Sequence, residues 1–439
     1  MMTSTVSLAT LGCKTNQFES AAMEEQLQDA GYQVVPFNEG ADLVVINTCT
    51  VTAATDAQSR NLIRRARRLN PACRVVVTGC YAQIDPQPLM QLPGVTLVLG
   101  NAEKKDLLSY LRTGSEGLVQ VGDIRTQSTA EVPALSSFAG RSRAFLQIQN
   151  GCDAFCSYCI IPYARGRSRS VPVDQVLAQV QRLLAAGYPE IVLTGIHIGC
   201  YGLDFQATFP LVKLVEQICH DTSIKRLRLG SLEPLEISDE LIDLVAASPV
   251  LCRHFHIPLQ AGDDHVLQRM GRNYSTATFA TLVGKIHNRM PDAAIGLDVI
   301  CGFPGETDQE FENTFNFLHS LPFTHLHVFP FSRRPGTPAS QMPDQVPTSI
   351  AKERAARLRS LGEEKLVHFC KSFVGTSLEV VPESGDKEPR WKGLSRNYLH
   401  VKVDGSAPPN GQCQIVRILQ VESSELVGMT EPDGGFNSF

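Results

Sequence analysis

Ala144-Phe-Leu-Gln-Ile-Gln-Asn-Gly-Cys152-Asp-Ala-Phe-Cys156-Ser-Tyr-Cys159-Ile-Ile-Pro162 begins as a β-strand pattern over 144–149 and runs straight into three cysteines spaced x3 and x2. A strand that hands over at once to such a loop is how α/β folds build sites, because ligands collect at the carboxyl ends of parallel strands. Downstream, strand patterns recur at 191–194, 226–230, 254–259, 295–300 and 325–331. Helical patterns lie between them, such as 173–186 (Val176, Leu177, Val180, Leu183, Leu184) and 309–319. Six βα units with right-handed crossovers predict a partial (β/α)6 barrel.

Upstream, strand patterns at 4–10, 43–47, 74–78 and 95–99 alternate with helical ones at 18–30, 53–69 and 103–112. This predicts an open parallel α/β sheet. From about 113 to 140 the pattern fades into Gly, Ser, Thr and Pro. A charged helix near 350–373 leads to short strand patterns at 377–381, 398–403, 412–418 and 425–429, a small β-barrel. The expected division is 1–125 for the N-terminal α/β domain, 126–140 for a linker, 141–370 for the partial barrel and 371–439 for the β-barrel.

The chain has 439 residues, 43% hydrophobic and 19% charged, as in ordinary soluble proteins. It shows neither a leader pattern nor an apolar run of about 18 residues, so a cytoplasmic protein without a membrane partner is expected. In reducing cytosol the 13 cysteines point to metal or to small core residues rather than to disulfides. A net charge of −5 argues mildly against a nucleic-acid partner, although binding uses local patches.

Three thiolates at Cys152, Cys156 and Cys159 suit three irons of a [4Fe–4S] cube and leave the fourth iron open. A structural zinc asks for a fourth protein ligand, and none is near in sequence. Cys13, Cys49 and Cys80 each follow a strand of the first sheet. In a parallel sheet they therefore share its carboxyl edge, whereas Cys73 precedes its strand and falls at the other edge. The residues alone leave a second cluster and a set of buried thiols both open. Cys200, Cys219, Cys252, Cys301, Cys370 and Cys413 fit no pattern, Cys200 being the least clear because it follows the second barrel strand.

The spacing around Cys152, with Tyr158 before the last cysteine, resembles the radical S-adenosylmethionine (SAM) superfamily. Thr10-Leu-Gly-Cys-Lys-Thr-Asn-Gln, Ile46-Asn-Thr-Cys-Thr-Val-Thr and Val77-Thr-Gly-Cys-Tyr-Ala-Gln resemble the three cysteine motifs of the methylthiotransferases within it. The resemblance implies two [4Fe–4S] clusters, one on each cysteine trio, with SAM on the open iron of the first. It also implies a transferase that installs CH3–S on an adenosine of tRNA, served by an electron donor such as flavodoxin or ferredoxin. The tail around Leu394-Ser-Arg-Asn-Tyr-Leu-His-Val-Lys-Val resembles the RNA-binding TRAM domain.

Later barrel strands end in residues able to hold a small polar ligand: Thr194-Gly-Ile-His, Ser231-Leu-Glu-Pro, Gln260-Ala-Gly and Gly302-Phe-Pro-Gly-Glu-Thr. The bland reading of each is helix capping. Tyr158, Ile161, Gly195, Glu233 and Gln260 are the expected cofactor contacts; Gly230 and Ala261 stand where serine is frequent in the family. His197 and His256 read as structural. No catalytic side chain is expected beyond the cluster-bound cofactor.

Arg60, Arg64, Arg67 and Arg68 share one helical face, with Leu62, Ala66 and Leu69 on the other, and Arg165, Arg167 and Arg169 follow the cysteine loop. Such runs are usually solvated faces; beside a site they suit phosphate contacts. The motif around Cys13 looks closest to the branch acting on N6-threonylcarbamoyladenosine at position 37, beside the anticodon. That substituent ends in a carboxylate and calls for an arginine, with Arg165, Arg167, Arg333 and Arg334 as candidates. The alternatives are isopentenyladenosine in tRNA, a ribosomal-protein side chain, and a non-catalytic Fe–S or zinc RNA-binding protein.

Overall fold

The computed structural model describes residues 4–114, 117–130, 133–138, 141–383, 390–405, 407–408 and 412–431. Six parallel strands form the first layer: β1 (Thr5–Thr10), β2 (Gln33–Val34), β3 (Leu43–Thr48), β4 (Arg74–Gly79), β5 (Val95–Leu99) and β6 (Leu118–Gln120). Their order is β2-β1-β3-β4-β5-β6, so the winding direction reverses between β1 and β3. Such a switch point opens a crevice at the carboxyl edge. Strand β6 falls where the sequence reads as loop, since three residues are too few to show a period; expected linker positions 131–132 and 139–140 lie outside the described residues. On the helix Ala53–Leu69 the inner face is Asp56, Ser59, Ile63 and Ala66. Leu69, expected inside, is exposed because Asn70 ends the helix there.

The second layer comprises β7 (Arg143–Gln147), a short ribbon of β8 (Gln149–Asn150) and β9 (Arg169–Ser170), then β10 (Glu190–Thr194), β11 (Leu227–Leu229), β12 (His254–Gln260), β13 (Ala294–Cys301) and β14 (His325–Pro330). All main strands are parallel, in two groups, β7-β10-β11 and β12-β13-β14. Bridges from Leu227 to Leu251 and from Ser231 to His256 connect them into a curved six-strand wall. Ile191, Leu193, Leu227, Leu229, Phe255, Ile257, Ile295 and Leu297 pack outward with helix residues such as Val176, Val180 and Leu183. The alternate positions, Glu190, Arg226, Arg228, His254, His256 and Asp298, line the enclosed face, as the period of two requires.

The helix Thr348–Lys371 leads to a closed five-stranded barrel of β15 (Ser377–Pro382), β16 (Arg390–Ser395), β17 (His400–Asp404), β18 (Gln414–Glu422) and β19 (Glu425–Thr430). Strand β16 does not stand out in the sequence because Gly393 interrupts it. A side chain there would strike Val380. The barrel docks on the wall through buried charge. Glu190 accepts from both Arg226 and Arg228, whose remaining donors reach Glu379 and the carbonyls of Leu394, Ser395 and Arg396. Burial alone would raise the Glu190 carboxyl, yet the two arginines hold it at about 2. Glu190→Gln would leave the buried Arg228 guanidinium without a carboxylate partner and Arg226 with Glu379 alone, so a loss of about 3–5 kcal/mol is expected. Denaturant unfolding followed by fluorescence of the single tryptophan, Trp391, should show it; an unchanged midpoint would refute the docking role.

Among the described residues no helix is long and apolar enough to cross a membrane.

Candidate active site between two cysteine trios

Cys13 caps the helix Lys14–Asp29, Cys49 directly follows β3, and Cys80 opens the short helix Cys80–Ile84 after β4. Cys13 and Cys49 thus flank the switch point, and Cys80 lies one strand on. Gly12 adopts φ +93°, and a Cβ there would come within 2.7 Å of Cys49 Sγ. Only glycine both adopts that conformation and admits the second sulfur. Burial, and then the nearby Cys80 and Cys13, push the Cys49 thiol up to about 12. Cys73 is buried at the opposite end of β4.

The second trio sits on the loop after β7, which is pinned by Cys152 N–H to Gly166 O (3.0 Å), Ser157 N–H to Met270 O (2.9 Å) and Cys159 N–H to Cys156 O (2.9 Å). Several groups face its sulfurs, among them the Ile161 N–H at Cys159. Ala154 N–H donates to Cys152 Sγ (3.5 Å), His197 Nδ1 lies 3.4 Å from the same sulfur, and Arg272 Nη1 donates to Cys156 Sγ (3.2 Å). Burial pushes Cys159 up to about 12. His197 also meets Glu236 (2.5 Å) and Cys200 (3.6 Å), so Cys200 stands beside this trio without belonging to its loop.

Arg272, which the sequence did not mark, organises one side of the site. It ion-pairs with Glu233 and lies 5.0 Å over the Tyr274 ring. Tyr274 OH in turn holds the carbonyls of Pro258 and Leu259, ahead of Gln260. Gln260 has φ +68° at a β-bulge, a sparsely populated conformation of the kind found at ligand sites. Tyr158 is within electrostatic range of Arg272, Cys156 and Glu233, and burial raises its phenol well above the ordinary value. Tyr158, Glu233 and Gln260 therefore gather on one side. Gly195 lies in the loop after β10, where Gln149 Oε1 accepts the N–H groups of Ile196 and His197. Ile161 opens the short helix Ile161–Arg165 that leaves the loop.

Residues 146–318 match the radical SAM superfamily, and residues 5–100 match the uncharacterized protein family UPF0004. The threonylcarbamoyladenosine tRNA methylthiotransferase MtaB of Bacillus subtilis (strain 168) is 41% identical over 429 residues, covering 95% of this chain and 94% of that one. The chain belongs to the radical SAM methylthiotransferases. The same-named protein of Rickettsia prowazekii (strain Madrid E) is 37% identical, covering 97% and 95%. The tRNA-2-methylthio-N(6)-dimethylallyladenosine synthase of Clostridium novyi (strain NT) is 30% identical, covering 96% and 95%. Among solved structures, a radical SAM methyltransferase, TsrM from Kitasatospora setae, aligns with a TM-score of 0.55 at 18% identity. It covers 88% of this chain and 82% of that one, which shows a shared fold.

Membership of the radical SAM superfamily implies a [4Fe–4S] cluster and SAM. The loop of this methylthiotransferase fits both groups. It offers three soft thiol ligands with N–H donors aimed at sulfur, and a polar shelf beside them.

The arginines divide differently from expectation. Arg165 is fully buried: its guanidinium crosses to the N-terminal domain, pairs with Glu19, reaches Asn16 and donates to Cys80 Sγ (3.2 Å). Burial alone would raise Glu19, but Arg165 and Lys104 hold it at about 2. Arg334 is likewise buried against Asp56 (2.7 Å) and Thr50 (2.6 Å), next to Cys49. Arg165, with Nε, Nη1 and Nη2 all engaged, has no fork left for a substrate carboxylate and ties the two domains together. Arg334 ties them through Nη2 alone and is buried away from solvent. Arg167 and Arg333 are exposed. Within the arginine run Arg60 turns to the Tyr81 hydroxyl (2.8 Å) and Arg67 to backbone carbonyls, while Arg64 and Arg68 face solvent.

Proposed function

We propose that this chain converts N6-threonylcarbamoyladenosine at position 37 of tRNA to its 2-methylthio derivative, using two [4Fe–4S] clusters, SAM and a flavodoxin- or ferredoxin-type electron donor. The observation that carries the reading is Arg165. Six residues after Cys159, it reaches Cys80 of the other trio, so the two sulfur sites face one interface. The relatives' names supply the substrate.

When bound, the cofactors supply the radical that removes hydrogen from C2 of adenine and the sulfur that replaces it. The chain's own residues then have defined tasks. Cys152, Cys156 and Cys159 would hold the cluster that carries SAM, and Cys13, Cys49 and Cys80 the second cluster. Tyr158, Ile161, Gly195, Glu233 and Gln260 would seat SAM, with Arg272 fixing the Glu233 carboxylate.

Arg167 and Arg333 remain the candidates for the threonylcarbamoyl carboxylate. A charge-assisted pair contributes about 1.5–3 kcal/mol, so alanine at the right one should lower kcat/KM about 10–150-fold on threonylcarbamoylated tRNA. It should leave isopentenylated tRNA nearly unaffected; equal losses on both would assign the residue to phosphate contact. The assay that decides the function offers purified tRNAs bearing each modification to the iron-loaded enzyme and reads nucleosides by mass spectrometry. Preference for the isopentenylated tRNA would sink the substrate assignment, and activity only on a ribosomal protein would move the enzyme to another branch.

A further inference from the structure

Side chains from three neighbouring strands meet on the enclosed face of the wall: His256 on β12, Asp298 on β13 and His327 on β14. Asp298 and His327 are directly paired in register, and His256 is paired with Gly296, two residues before Asp298. His256 Nε2 lies 2.9 Å and His327 Nδ1 3.2 Å from the same atom, Asp298 Oδ1. The two rings are 5.2 Å apart and tilted by 39°.

Hydrogen bonding would account for these contacts if the ring N–H groups pointed at the oxygen. They do not: Asp298 Oδ1 is shielded from solvent and has no hydrogen-bond partner. A buried carboxylate oxygen left in that state is costly and calls for an explanation. Donor atoms that stand this close together without satisfying one another are available to a common ion. The two nitrogen–oxygen distances agree, because metal–ligand bonds of 2.0–2.2 Å put neighbouring donors roughly 2.8–3.6 Å apart in octahedral or tetrahedral sites. Gly296 makes the room. A Cβ there would come within 2.9 Å of His256 Nδ1, so only glycine lets the imidazole lie against β13.

We propose that His256, Asp298 and His327 bind one divalent cation of the zinc class. Two imidazoles and one carboxylate suit zinc or ferrous iron, whereas magnesium and calcium seek oxygen ligands. These three ligand atoms lie within 4.8 Å of one another and belong to neither cysteine trio. Three protein ligands leave at least one position open. The side chain of His327 is 55% exposed, so water or an oxygen-bearing ligand reaches the ion from that side.

The test uses iron-loaded protein, whose cluster cysteines are occupied, after passage over a chelating resin. Equilibrium dialysis against zinc chloride, with metals counted by mass spectrometry, should show about one zinc per chain with no loss of iron. His327→Gln, at a half-exposed position, and Asp298→Asn should each weaken uptake at least about 10-fold, the lower end of what second-shell changes alone cost. Gly296→Ala should weaken it too, by displacing the His256 ring. Retained iron shows that each variant is folded. Zinc K-edge absorption should show a first shell of nitrogen and oxygen only. No uptake by the parent protein, equal uptake by the variants, or sulfur in the zinc shell, as at His197, Cys200 and Glu236, would each overturn the proposal.

Discussion

Replacing Cys13, Cys49 and Cys80 together by alanine is expected to remove about four of about eight irons per chain, since each cube holds four. The variant should still cleave SAM to 5′-deoxyadenosine under dithionite, yet form no methylthio nucleoside. The physical basis is the separation of the two trios on different elements. The loop after β7 takes its hydrogen bonds from Gly166 and Met270 and its sulfur contacts from His197 and Arg272, none of them in the N-terminal sheet. Emptying the switch-point crevice therefore leaves the SAM-bearing loop intact. The complementary variant, Cys152, Cys156 and Cys159 to alanine, should lose the other half of the iron and make no 5′-deoxyadenosine. Wild-type product from the first variant would refute the assignment of the second cluster. A whole cluster lost from Cys73→Ala alone would refute the edge argument, because Cys73 sits at the far end of its strand.

Arg165→Gln carries the second large expected effect. The change leaves the Glu19 carboxylate buried beside Lys104 alone and takes a charged donor from Cys80. Breaking a buried pair by removing one partner costs about 3–5 kcal/mol. Domain docking should loosen, iron on the Cys13/Cys49/Cys80 site should fall, and methylthio product should drop far more than 5′-deoxyadenosine. Arg165→Lys keeps the charge but not the planar fork that serves Glu19, Asn16 and Cys80 at once, so its recovery should be partial. If instead Arg165→Gln kept its iron and its melting temperature but lost affinity for tRNA, the guanidinium would belong to the substrate after all.

How much of this was legible follows from the range over which each signal acts. The periods of 2 and 3.6 residues are local, so the strands ending in Thr10, Thr48, Gly79 and Thr194 could be read from the chain. A parallel sheet puts all its carboxyl ends on one edge, so the alignment of Cys13, Cys49 and Cys80, and the exclusion of Cys73, needed topology alone. The cysteine spacing after β7 is likewise a local fact. Strands β6 and β16 escaped, one because it is too short to show a period and the other because Gly393 breaks it.

Charge pairing was not legible, because it depends on which distant groups a fold brings together. Arg165 and Arg334 look in the sequence like cations free for a substrate. In the folded chain each lies buried against a carboxylate some 146 or 278 positions away. Arg272 had no local mark at all, and its place between Cys156 and Glu233 exists only because its loop packs beneath the cysteine loop. His256, Asp298 and His327 are three unremarkable strand residues until registry sets them side by side. The sequence by itself determined the parallel α/β layers, the two cysteine trios and the family, since those rest on local period, spacing and strand order. Tertiary structure alone decided which arginines are spent inside, which groups face the sulfurs, and that His256, Asp298 and His327 meet, since side chains find partners through space and not along the chain.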